Sequence, residues 1–468
     1  MFTRPACLIL ATVVLGSCHS RTPAPASSQT KQGQQVKPAA RTEGRSAAVL
    51  VRLAAKGGAP RLYRLPTLAE LPGTLRGRLP AVDRVIGTDD ADGLLFLHTA
   101  KGDAIAYDLQ SGRVDTVATG VTMAALGPDG TLFTIDAKKR VVSYAHRSRT
   151  VWPQPLAATP SAIFGGADQR LIAITAEKKP RLVAEAVDQP AVMRPYPGSG
   201  VVDAARFGDE VASATDSGLV LIEPLGRRAP AFVPLPDHPT DVAFSPAGHR
   251  LYVSRKTGLG LAVVDRFSRD EMDGVALPAM ARDLRLDPLG RWLLAQSGIG
   301  DSVWIVDLPT KTLTATVPGA WSTDLPVVSP DGTVLVRQGN DLVAIHPDSG
   351  HQAGKLSGAA GDLWVATGWI PSGSSRTAAL ADAPAPAAAA GDTAAGALYV
   401  QVSISQNKEW SDGMAQQLQR AGLQAKVLPP TTADDGFRVV LGPYATREQA
   451  EDIGRKLGRP YWIYQPTQ

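Results

Sequence analysis

The sequence has few cysteines, few aromatic residues and no long apolar run. Among its 468 residues only Cys7 and Cys18 are cysteines, and aromatic residues make up 6% of the chain. Because both cysteines lie near the N-terminus, a disulfide framework is excluded for the rest of the chain. No apolar run approaches the about 20 residues of a transmembrane helix. The formal net charge of +4 is small and the Lys and Arg residues are scattered, so a nucleic-acid-binding surface is not expected.

The N-terminus carries the pattern of a secretion signal followed by a cysteine. Arg4 precedes an apolar run from Ala6 to Leu15, which suits the apolar region of a signal peptide. The run ends in Leu15-Gly16-Ser17-Cys18, which resembles the lipobox of bacterial lipoproteins. The resemblance implies a signal peptide over residues 1–17 and a lipid on Cys18. It also implies an outer-membrane location facing the periplasm, because His19 and not Asp follows the cysteine. The alternative is an ordinary secretion signal with a chance cysteine.

Two stretches rich in Pro and Ala contain too few large apolar residues to build a core. A chain of this length is also expected to hold more than one domain. The predicted segments are a signal peptide (1–17), a disordered tether (18–46), a large middle domain (47–371), a second linker (372–396) and a C-terminal domain (397–468).

Turns of one kind recur along the middle domain. "GPDG", "SPAG", "DPLG" and "SPDG" place prolines at 128, 246, 288 and 330, and the last two intervals are 42 residues each. Weaker turns fill the gaps, and short strands with period-two alternation lie between the turns. A repeat of about 40 residues with four strands is typical of a β-propeller blade. The stretch "SPDGTVLVRQGNDLVAIHPDSG" resembles the YVTN and WD-repeat type of propeller.

The ends of the middle domain indicate the number of blades. Eight turn points run from Asp90 to "IPSG", which contains Pro371. "AAVLVRL", "PRLYRL" and "ELPGTLRG" look like the later strands of a blade without its first strand, whereas "DLWVATGW" looks like a first strand without partners. Joining the two would close the ring and remove exposed strand edges. We therefore expect an all-β propeller of eight blades, with seven as the alternative.

An aspartate recurs at the start of the innermost strand, as Asp203, Asp241, Asp283 and Asp324. Four carboxylates at one repeat position would gather near one mouth of the central channel, where they would suit a cation or a basic ligand. In the alternative interpretation, which we favour, each Asp accepts hydrogen bonds from backbone N–H groups of its own turn.

The sequence carries no local signature of catalysis or of metal binding. The patterns G-x-x-x-x-G-K-[ST], H-E-x-x-H and G-x-S-x-G are missing. The seven histidines are dispersed and lack a set of partner ligands. We therefore predict no enzyme activity, no metal and no cofactor. A propeller enzyme that assembles its site from many blades is the rival hypothesis.

After residue 396 the pattern changes to strands and helices in the order βαββαβ. The predicted strands are "ALYVQVSIS", "LQAKVL", "FRVVL" and "PYWIY". One helix is expected over about 410–421, Gly442-Pro443 is predicted as a turn, and a second helix is expected from Thr446, with Gln449 at capping-box spacing. This is an α+β arrangement of the ferredoxin or RNP type.

In this topology both helices cover one face of the sheet and leave the other face open. The alternation of the first strand predicts that Val400, Val402 and Ile404 face the helices. The open face would then present Gln401, Ser403, Arg438, Val440, Trp462 and Tyr464.

Three stretches of this domain, "YVQVSISQNKE", "LQRAGLQAKV" and "FRVVLGPYATREQAEDIGRKL", resemble the SPOR domain. SPOR domains bind peptidoglycan glycan strands stripped of their stem peptides, which accumulate at division septa. The resemblance implies that Gln401 contacts glycan, with Arg438 and the aromatic positions of the face as further candidates. Ser403-Ile404-Ser405 stands where the family commonly has Gly-Ser-Phe, which leaves the exact contacts of this edge open.

The sequence as a whole predicts a non-catalytic lipoprotein of the cell envelope that takes part in cell division. It would be attached to the outer membrane by its lipid and to septal peptidoglycan by its SPOR domain, while the propeller binds an unknown envelope protein. The alternatives are a propeller enzyme acting on an envelope substrate and an assembly scaffold for outer-membrane proteins that the SPOR domain localises.

Overall fold

The computed structural model of the chain describes residues 48–465, apart from 72–74, 91, 168, 289, 359, 369–397, 406–407, 421–422, 431–435, 448, 451–452 and 454–461. The predicted signal peptide, Cys18, the N-terminal tether and the linker at 372–396 lie outside the described residues. Within the described part of the chain, no helix combines the length and the apolarity needed to cross a bilayer.

The middle domain consists of short β-strands in an unbroken series. The first sixteen are β1 (Val49–Leu53), β2 (Arg61–Arg64), β3 (Ala69–Leu71), β4 (Val82–Asp89), β5 (Leu94–Thr99), β6 (Ala104–Asp108), β7 (Val114–Ala118), β8 (Val121–Leu126), β9 (Leu132–Asp136), β10 (Val141–Ala145), β11 (Ser148–Val151), β12 (Pro160–Gly165), β13 (Leu171–Thr175), β14 (Arg181–Ala186), β15 (Gln189–Pro195) and β16 (Val202–Ala204). They continue as β17 (Val211–Thr215), β18 (Gly218–Ile222), β19 (Ala231–Pro234), β20 (Pro239–Phe244), β21 (Arg250–Arg255), β22 (Leu261–Asp265), β23 (Glu271–Val275), β24 (Ala281–Leu286), β25 (Trp292–Ser297), β26 (Ser302–Asp307), β27 (Thr312–Pro318), β28 (Val327–Val328), β29 (Val334–Gln338), β30 (Asp341–Ile345), β31 (Gln352–Leu356) and β32 (Leu363–Thr367).

In the described part of the chain these strands form eight four-stranded antiparallel sheets, which are the blades of a propeller. Seven sheets are meanders of consecutive strands: β4–β7, β8–β11, β12–β15, β16–β19, β20–β23, β24–β27 and β28–β31. The eighth combines β1, β2 and β3 with the last strand, β32, and Val51 pairs with Val365 in its centre. The first and last strands of the domain therefore close the ring, and the prediction of eight blades is confirmed.

Each pair of neighbouring blades encloses its own hydrophobic cluster, so the propeller has a series of inter-blade cores. Strand β21 shows how the alternation produces this arrangement. Leu251 and Val253 pack with Leu221 of the preceding blade, whereas Tyr252 between them packs with Leu293 of the following blade. Because successive side chains point to opposite faces, a blade buried on both faces needs apolar residues at nearly every strand position.

The recurring turns that indicated the repeat join the first and second strands of their blades. In "SPDG" the Gly332 N–H donates to the Ser329 carbonyl oxygen at 2.8 Å, and an Asp331 carboxylate oxygen accepts from Thr333 N at 3.1 Å. The φ angle of Gly332 is +83°, a backbone conformation that glycine adopts without steric cost. The Asp and the Gly of this motif therefore have distinct roles, one as an acceptor and one as the conformational hinge of the turn.

The C-terminal module is a second, separate sheet of four strands. Its strands are β33 (Leu398–Ser405), β34 (Ala425–Leu428), β35 (Phe437–Tyr444) and β36 (Trp462–Tyr464), and its first helix is α1 (Lys408–Arg420). The strand order is β34-β35-β33-β36, with the first and third strands central as predicted. Helical backbone resumes at Arg447, where Thr446 Oγ1 accepts a hydrogen bond from Gln449 N at 3.2 Å. This bond is the helix N-cap that the sequence predicts.

One face of this sheet carries the core of the module. Val400, Val439 and Leu441 of the central strands pack with Leu418 of α1 and with Ala450 of the second helix. Both helices therefore cover the same face. The opposite face carries no helix among the described residues, as the split βαβ topology predicts.

The prediction of a turn at Gly442-Pro443 is wrong, because β35 continues through both residues to Tyr444. The pairing with β33 shifts by one residue here, from Val400 opposite Leu441 to Leu398 opposite Tyr444. An extra residue in one strand is a β-bulge, and a bulge is one of the few places where a sheet accommodates a proline. The Gly-Pro pair, which we interpreted as a turn, thus marks a β-bulge within a continuous strand.

Candidate functional site

The register of the C-terminal sheet builds a row of four positions across its helix-free face. Gln401 of β33 pairs with Val440 of β35 on one side and with Trp462 of β36 on the other, and Lys426 of β34 pairs with Val440. Residues that stand opposite each other in an antiparallel pair share one face of the sheet. Since Leu441 next to Val440 is a core residue, this row belongs to the face without helices.

Two cationic side chains lie over aromatic rings on this face. The Arg438 guanidinium carbon is 4.8 Å from the ring centroid of Tyr464, and the Lys426 ammonium nitrogen is 4.7 Å from that of Tyr399. Arg438 Nη1 also donates to Gln401 Oε1 at 3.2 Å. Cation–π contacts at these distances hold the cations along the sheet. The result is a surface of amide, guanidinium and ammonium groups beside the partly exposed ring of Tyr464, a combination that suits sugar hydroxyls and sugar rings, whereas Tyr399 is buried beneath Lys426.

The structure corrects the predicted outward placement of Ser403. Gln401 pairs with Val440, but Ser403 already pairs with Val439, so that β33 contains a bulge at Val402. Beyond a bulge the alternation of side chains is inverted. Ser403 is consequently 3% exposed on the core side, while Ile404 pairs with Arg438 on the helix-free side.

Val440 and Trp462 were predicted as exposed contacts, but neither is seen as one in the structure. Val440 stands on the predicted face by register, yet it is 0% exposed and forms part of the floor of that face. The Trp462 backbone pairs with Gln401, and its side chain lies outside the described part of the structure. Gln401, Arg438 and Tyr464 are partly exposed, so these three of the predicted residues are positioned to meet a ligand.

Lys426 was not among the predicted site residues, although the sequence held a signal for it. It lies between Ala425 and Val427 in a predicted strand, and both neighbours belong to the helix-facing core. A charged residue between two apolar ones in a strand with period two points to the open face. The cross-strand position beside Val440 and Gln401 follows only from the register.

In the propeller, the recurring aspartates join neighbouring blades. Asp203 accepts the amide of its following residue and, through Oδ2, the amide of Phe244 in the next blade at 2.8 Å. Asp241 repeats the arrangement, with Leu284 N of the next blade at 2.7 Å. The favoured interpretation assigned these carboxylates to their own turns. The structure extends it, because one oxygen of each carboxylate binds the inner strand of the adjacent blade.

The other two aspartates of the series differ from each other. Asp324 accepts Trp364 N at 3.1 Å and Arg337 Nη2 at 3.3 Å, so it too connects two blades. Asp283 is exposed. The four residues therefore do not form one equivalent ring, although they share a position in the sequence repeat.

Burial raises the pKa values of two of these aspartates, Asp203 and Asp241. It raises the pKa of Asp203 to about 6 and that of Asp241 to about 7, against the opposing effect of the backbone N–H donors. The charges of Asp283 and Asp203 raise the pKa of Asp241 further. A carboxyl whose pKa is higher in the folded than in the unfolded chain favours the folded state most at low pH, and this contribution is lost as the pH rises through about 4 to 7.

A cavity of about 510 Å³ lies between the inner strands β16, β20 and β24. Its lining includes Asp203, Asp241, Arg206, Phe244 and Leu284. Backbone amides already engage both carboxylates, which gives them a structural role, and a ligand role for them stays a prediction. Across the described residues, no group of three or more His, Cys, Asp or Glu side chains is arranged to hold a metal ion.

A buried ion cluster joins the blades β16–β19 and β20–β23 on the side of the turns between their first and second strands. Arg266 donates to Glu210 at 2.6 Å, to Asp209 at 2.6 Å and to the Gly248 carbonyl oxygen at 3.0 Å. Burial alone would lower the pKa of the guanidinium, but the two carboxylates more than offset it and raise the pKa above its usual value. All three charged side chains are buried, so the cluster depends on its mutual pairing.

Comparison with known proteins assigns the C-terminal module. Residues 394–459 match the SPOR domain family, so the resemblance seen in the sequence is confirmed. A SPOR domain implies peptidoglycan binding, with an association with the cell envelope and the division septum. Among curated proteins none matches this chain.

Comparison with solved structures found matches at low identity over 59–69% of the chain. AztD of Citrobacter koseri is 11% identical with a TM-score of 0.49, over 69% of this chain and 99% of that one. Dihydro-heme d1 dehydrogenase NirN is 14% identical with a TM-score of 0.48, over 66% of this chain and 75% of that one. The β-propeller domain of Cps50 (Swd1) from Myceliophteria thermophila is 14% identical with a TM-score of 0.39, over 59% of this chain and 96% of that one.

Proposed function

We propose that this chain is a non-catalytic envelope lipoprotein that binds stripped peptidoglycan strands at the division septum and uses its propeller as a scaffold for another envelope protein. The observation that carries the proposal is the helix-free face of the SPOR domain. There the Arg438 guanidinium donates a hydrogen bond to the Gln401 side chain and lies over the Tyr464 ring. Amide and guanidinium groups can bond the hydroxyls and N-acetyl groups of a glycan, and an aromatic ring can stack on a sugar face.

Retention of the full chain on purified sacculi tests the glycan part of the proposal. Sacculi treated with an amidase carry stripped strands, and we expect them to retain several times more protein than intact sacculi. A chain that ends before residue 394 serves as the control and is expected to be retained on neither. Equal retention of the full chain on both preparations would contradict the proposed preference for stripped strands.

The lipoprotein part of the proposal is supported by Leu15-Gly16-Ser17-Cys18 and by the apolar run before it. Two or more acyl chains on Cys18 would anchor the protein stably, since each buried CH₂ contributes about 0.8 kcal/mol. Metabolic labelling with a radioactive fatty acid should mark the wild-type chain and leave the Cys18→Ser variant unlabelled. Labelling of that variant would refute lipidation at this residue.

The scaffold part of the proposal is supported by exposed apolar side chains in loops of one end of the propeller. Leu259 and Ile299 are 70% and 75% exposed, in the loops after β21 and β25. Met280 is also exposed, and its carbonyl oxygen accepts the Gly298 N–H at 2.9 Å, which places it beside the Ile299 loop. A contiguous exposed apolar patch marks a contact surface, and we propose that these side chains contribute to one.

Co-purification from envelope extracts tests the scaffold. A protein that co-purifies with the wild-type chain should be lost from the Leu259→Ser/Ile299→Ser variant. The same protein should be retained by a variant altered only in the SPOR domain, such as Gln401→Ala. Retention by both variants would show that the apolar loops are not the contact surface.

A further inference from the structure

The strands of the SPOR sheet carry charge of one sign. β33, β34, β35 and β36 together contain two charged residues, Lys426 and Arg438, and both are cationic. Lys426 pairs with Val440, and Arg438 pairs with Leu428 and Ile404, so both cations belong to the helix-free face. A face whose own strands supply only positive charge is complementary to a ligand that carries negative charge.

The two cations are close enough to act on one group or on neighbouring groups of a ligand. Arg438 stands opposite Leu428, which is two residues from Lys426 on the same strand. Such diagonal positions on adjacent strands are about 7–8 Å apart. Each cation rests on an aromatic ring, Lys426 on Tyr399 and Arg438 on Tyr464, and these contacts hold both cations along the sheet.

In the part of the chain that the structure describes, the ammonium group of Lys426 has no carboxylate partner. Among the described residues, no carboxylate oxygen lies within 4 Å of it. Lys408 of α1 gives the contrast in the same module, since its ammonium group is 2.7 Å from Asp412. The positive charge of Lys426 is therefore available for an anion from outside.

Stripped glycan carries an anion that intact glycan lacks at the same place. In the intact strand the lactyl group of muramic acid is joined to the stem peptide as a neutral amide. Hydrolysis of that amide breaks the C–N bond, adds the oxygen of water to the lactyl carbon, and leaves a carboxylate on the sugar and an amine on the peptide. Each removed peptide thus leaves one negative charge on an otherwise neutral strand.

We infer that Lys426, with Arg438 beside it, binds the free lactyl carboxylate of muramic acid and so selects stripped strands by their charge. This inference rests on the proposed glycan-binding function and names the chemical group that the site recognises. Loss of bulk alone would also admit stripped strands, but it does not account for a sheet face with two cations. A charge-assisted hydrogen bond from these cations to the carboxylate accounts for both the charge of the face and its selectivity, because the bond forms only after the amide has been cleaved.

Titration calorimetry of the full chain with defined glycan tetrasaccharides tests the inference. One ligand carries free lactyl acids, and the second carries lactyl N-methylamides, which are neutral and as free of peptide as the first. We expect the acid to bind about tenfold more tightly, in the range of a single charge-assisted bond. We also expect the preference to shrink in 0.5 M salt, since exposed charges are screened.

Variants assign the effect to Lys426. Lys426→Gln should weaken binding of the acid about three- to tenfold and leave binding of the N-methylamide unchanged. Lys408→Gln, a charge removal on a side chain that is 64% exposed on α1, should change neither. Arg438→Gln should weaken both ligands, because it also removes the bond to Gln401. Circular dichroism of each variant checks that the module has kept its fold.

The outcomes separate this inference from the proposed function. Equal affinity of the wild-type chain for the acid and the N-methylamide would overturn the inference and leave glycan binding intact. Binding of polygalacturonate as tight as that of the acid would overturn it as well, because the site would then accept any polyanion. Failure to bind either tetrasaccharide would overturn both the inference and the proposed function.

Discussion

The propeller and the SPOR domain both consist of four-stranded antiparallel sheets, but they use the two faces of the sheet differently. A propeller blade is buried on both faces, as Leu251 and Tyr252 show by packing against opposite neighbours. The SPOR sheet packs helices against one face only, with Val400 and Leu441 in that core. Its other face keeps Gln401 and Arg438 partly exposed.

Because of this difference, charged side chains have a structural role in the propeller and are placed on a binding face in the SPOR domain. In the propeller, charged groups such as Arg266 and Asp241 bind partners inside the protein and connect blades. In the SPOR domain, Lys426 and Arg438 lie along a surface. Substitutions of charged residues are therefore expected to alter the folding of the first region and the ligand binding of the second.

The largest effect is expected for Arg266→Met. It leaves the buried carboxylates of Asp209 and Glu210 without their cation, which should lower the free energy of unfolding of the propeller by about 3–5 kcal/mol. Urea denaturation followed by tryptophan fluorescence measures it. Arg61→Met is the control, because Arg61 and its partner Glu70 are 61% and 47% exposed, and it should cost less than about 0.5 kcal/mol. A loss as small as that of the control would contradict the assigned role.

Two leucine variants should separate the regions from each other. Leu441→Ala in the SPOR core and Leu342→Ala in the propeller each remove a side chain that is fully buried, at about 2–5 kcal/mol. A cost of that size is comparable to the whole stability of a small module. We expect Leu441→Ala to abolish retention on stripped sacculi without moving the propeller transition, and Leu342→Ala to do the reverse. A shift of both properties in either variant would mean that the regions do not fold independently.

A smaller effect, on binding alone, is expected for Gln401→Ala. Loss of the amide that bonds Arg438 should weaken binding of stripped glycan about tenfold, or about 1.4 kcal/mol. Gln424→Ala is the matched control, since Gln424 is exposed in the same module but lies before β34. Calorimetry measures both. An unchanged dissociation constant for the Gln401 variant would remove this residue from the site.

The smallest effect concerns the pH dependence of propeller stability. The pKa of Asp241 is raised to about 7, so the ionised form opposes folding, and wild-type stability should fall between pH 5 and pH 8. Asp241→Asn removes this titration. Relative to the wild type it should gain about 1 kcal/mol from pH 5 to pH 8, after allowance for partial exposure. Melting temperatures at the two pH values measure the difference, in which any constant cost of the lost acceptor cancels. A parallel fall in both proteins would rule out Asp241 as the titrating group.

The propeller could be predicted from the sequence because its repeating turns are formed by residues that are close together in the chain. The hydrogen bonds made by Gly332 and Asp331 join residues at most four positions apart. Each blade can therefore be identified from its own stretch of sequence. The closing pair of β1 and β32 was also predictable, since each end of the domain lacked the strands that the other end supplied. Asp203 shows the limit, because the amide that it accepts from Phe244 belongs to another blade.

The SPOR face was predicted in part, and the errors have one cause. Gln401 and Arg438 lie where the alternation put them, whereas Ser403 and Ile404 exchange faces after the bulge at Val402. A strand pattern of period two has no means of showing an extra residue, because the bulge exists only relative to the partner strand.

By itself the sequence favoured eight blades over seven, and it determined the βαββαβ order and the family of the C-terminal module, since all three depend on local patterns of turns and apolar residues. Only the tertiary structure decided that Lys426 stands in a row with Gln401, that Ser403 is buried, and that the recurring aspartates connect blades. These facts depend on strand register and on contacts between residues 25 to 43 positions apart. Such contacts arise when the sheets assemble, and no short stretch of the chain contains them.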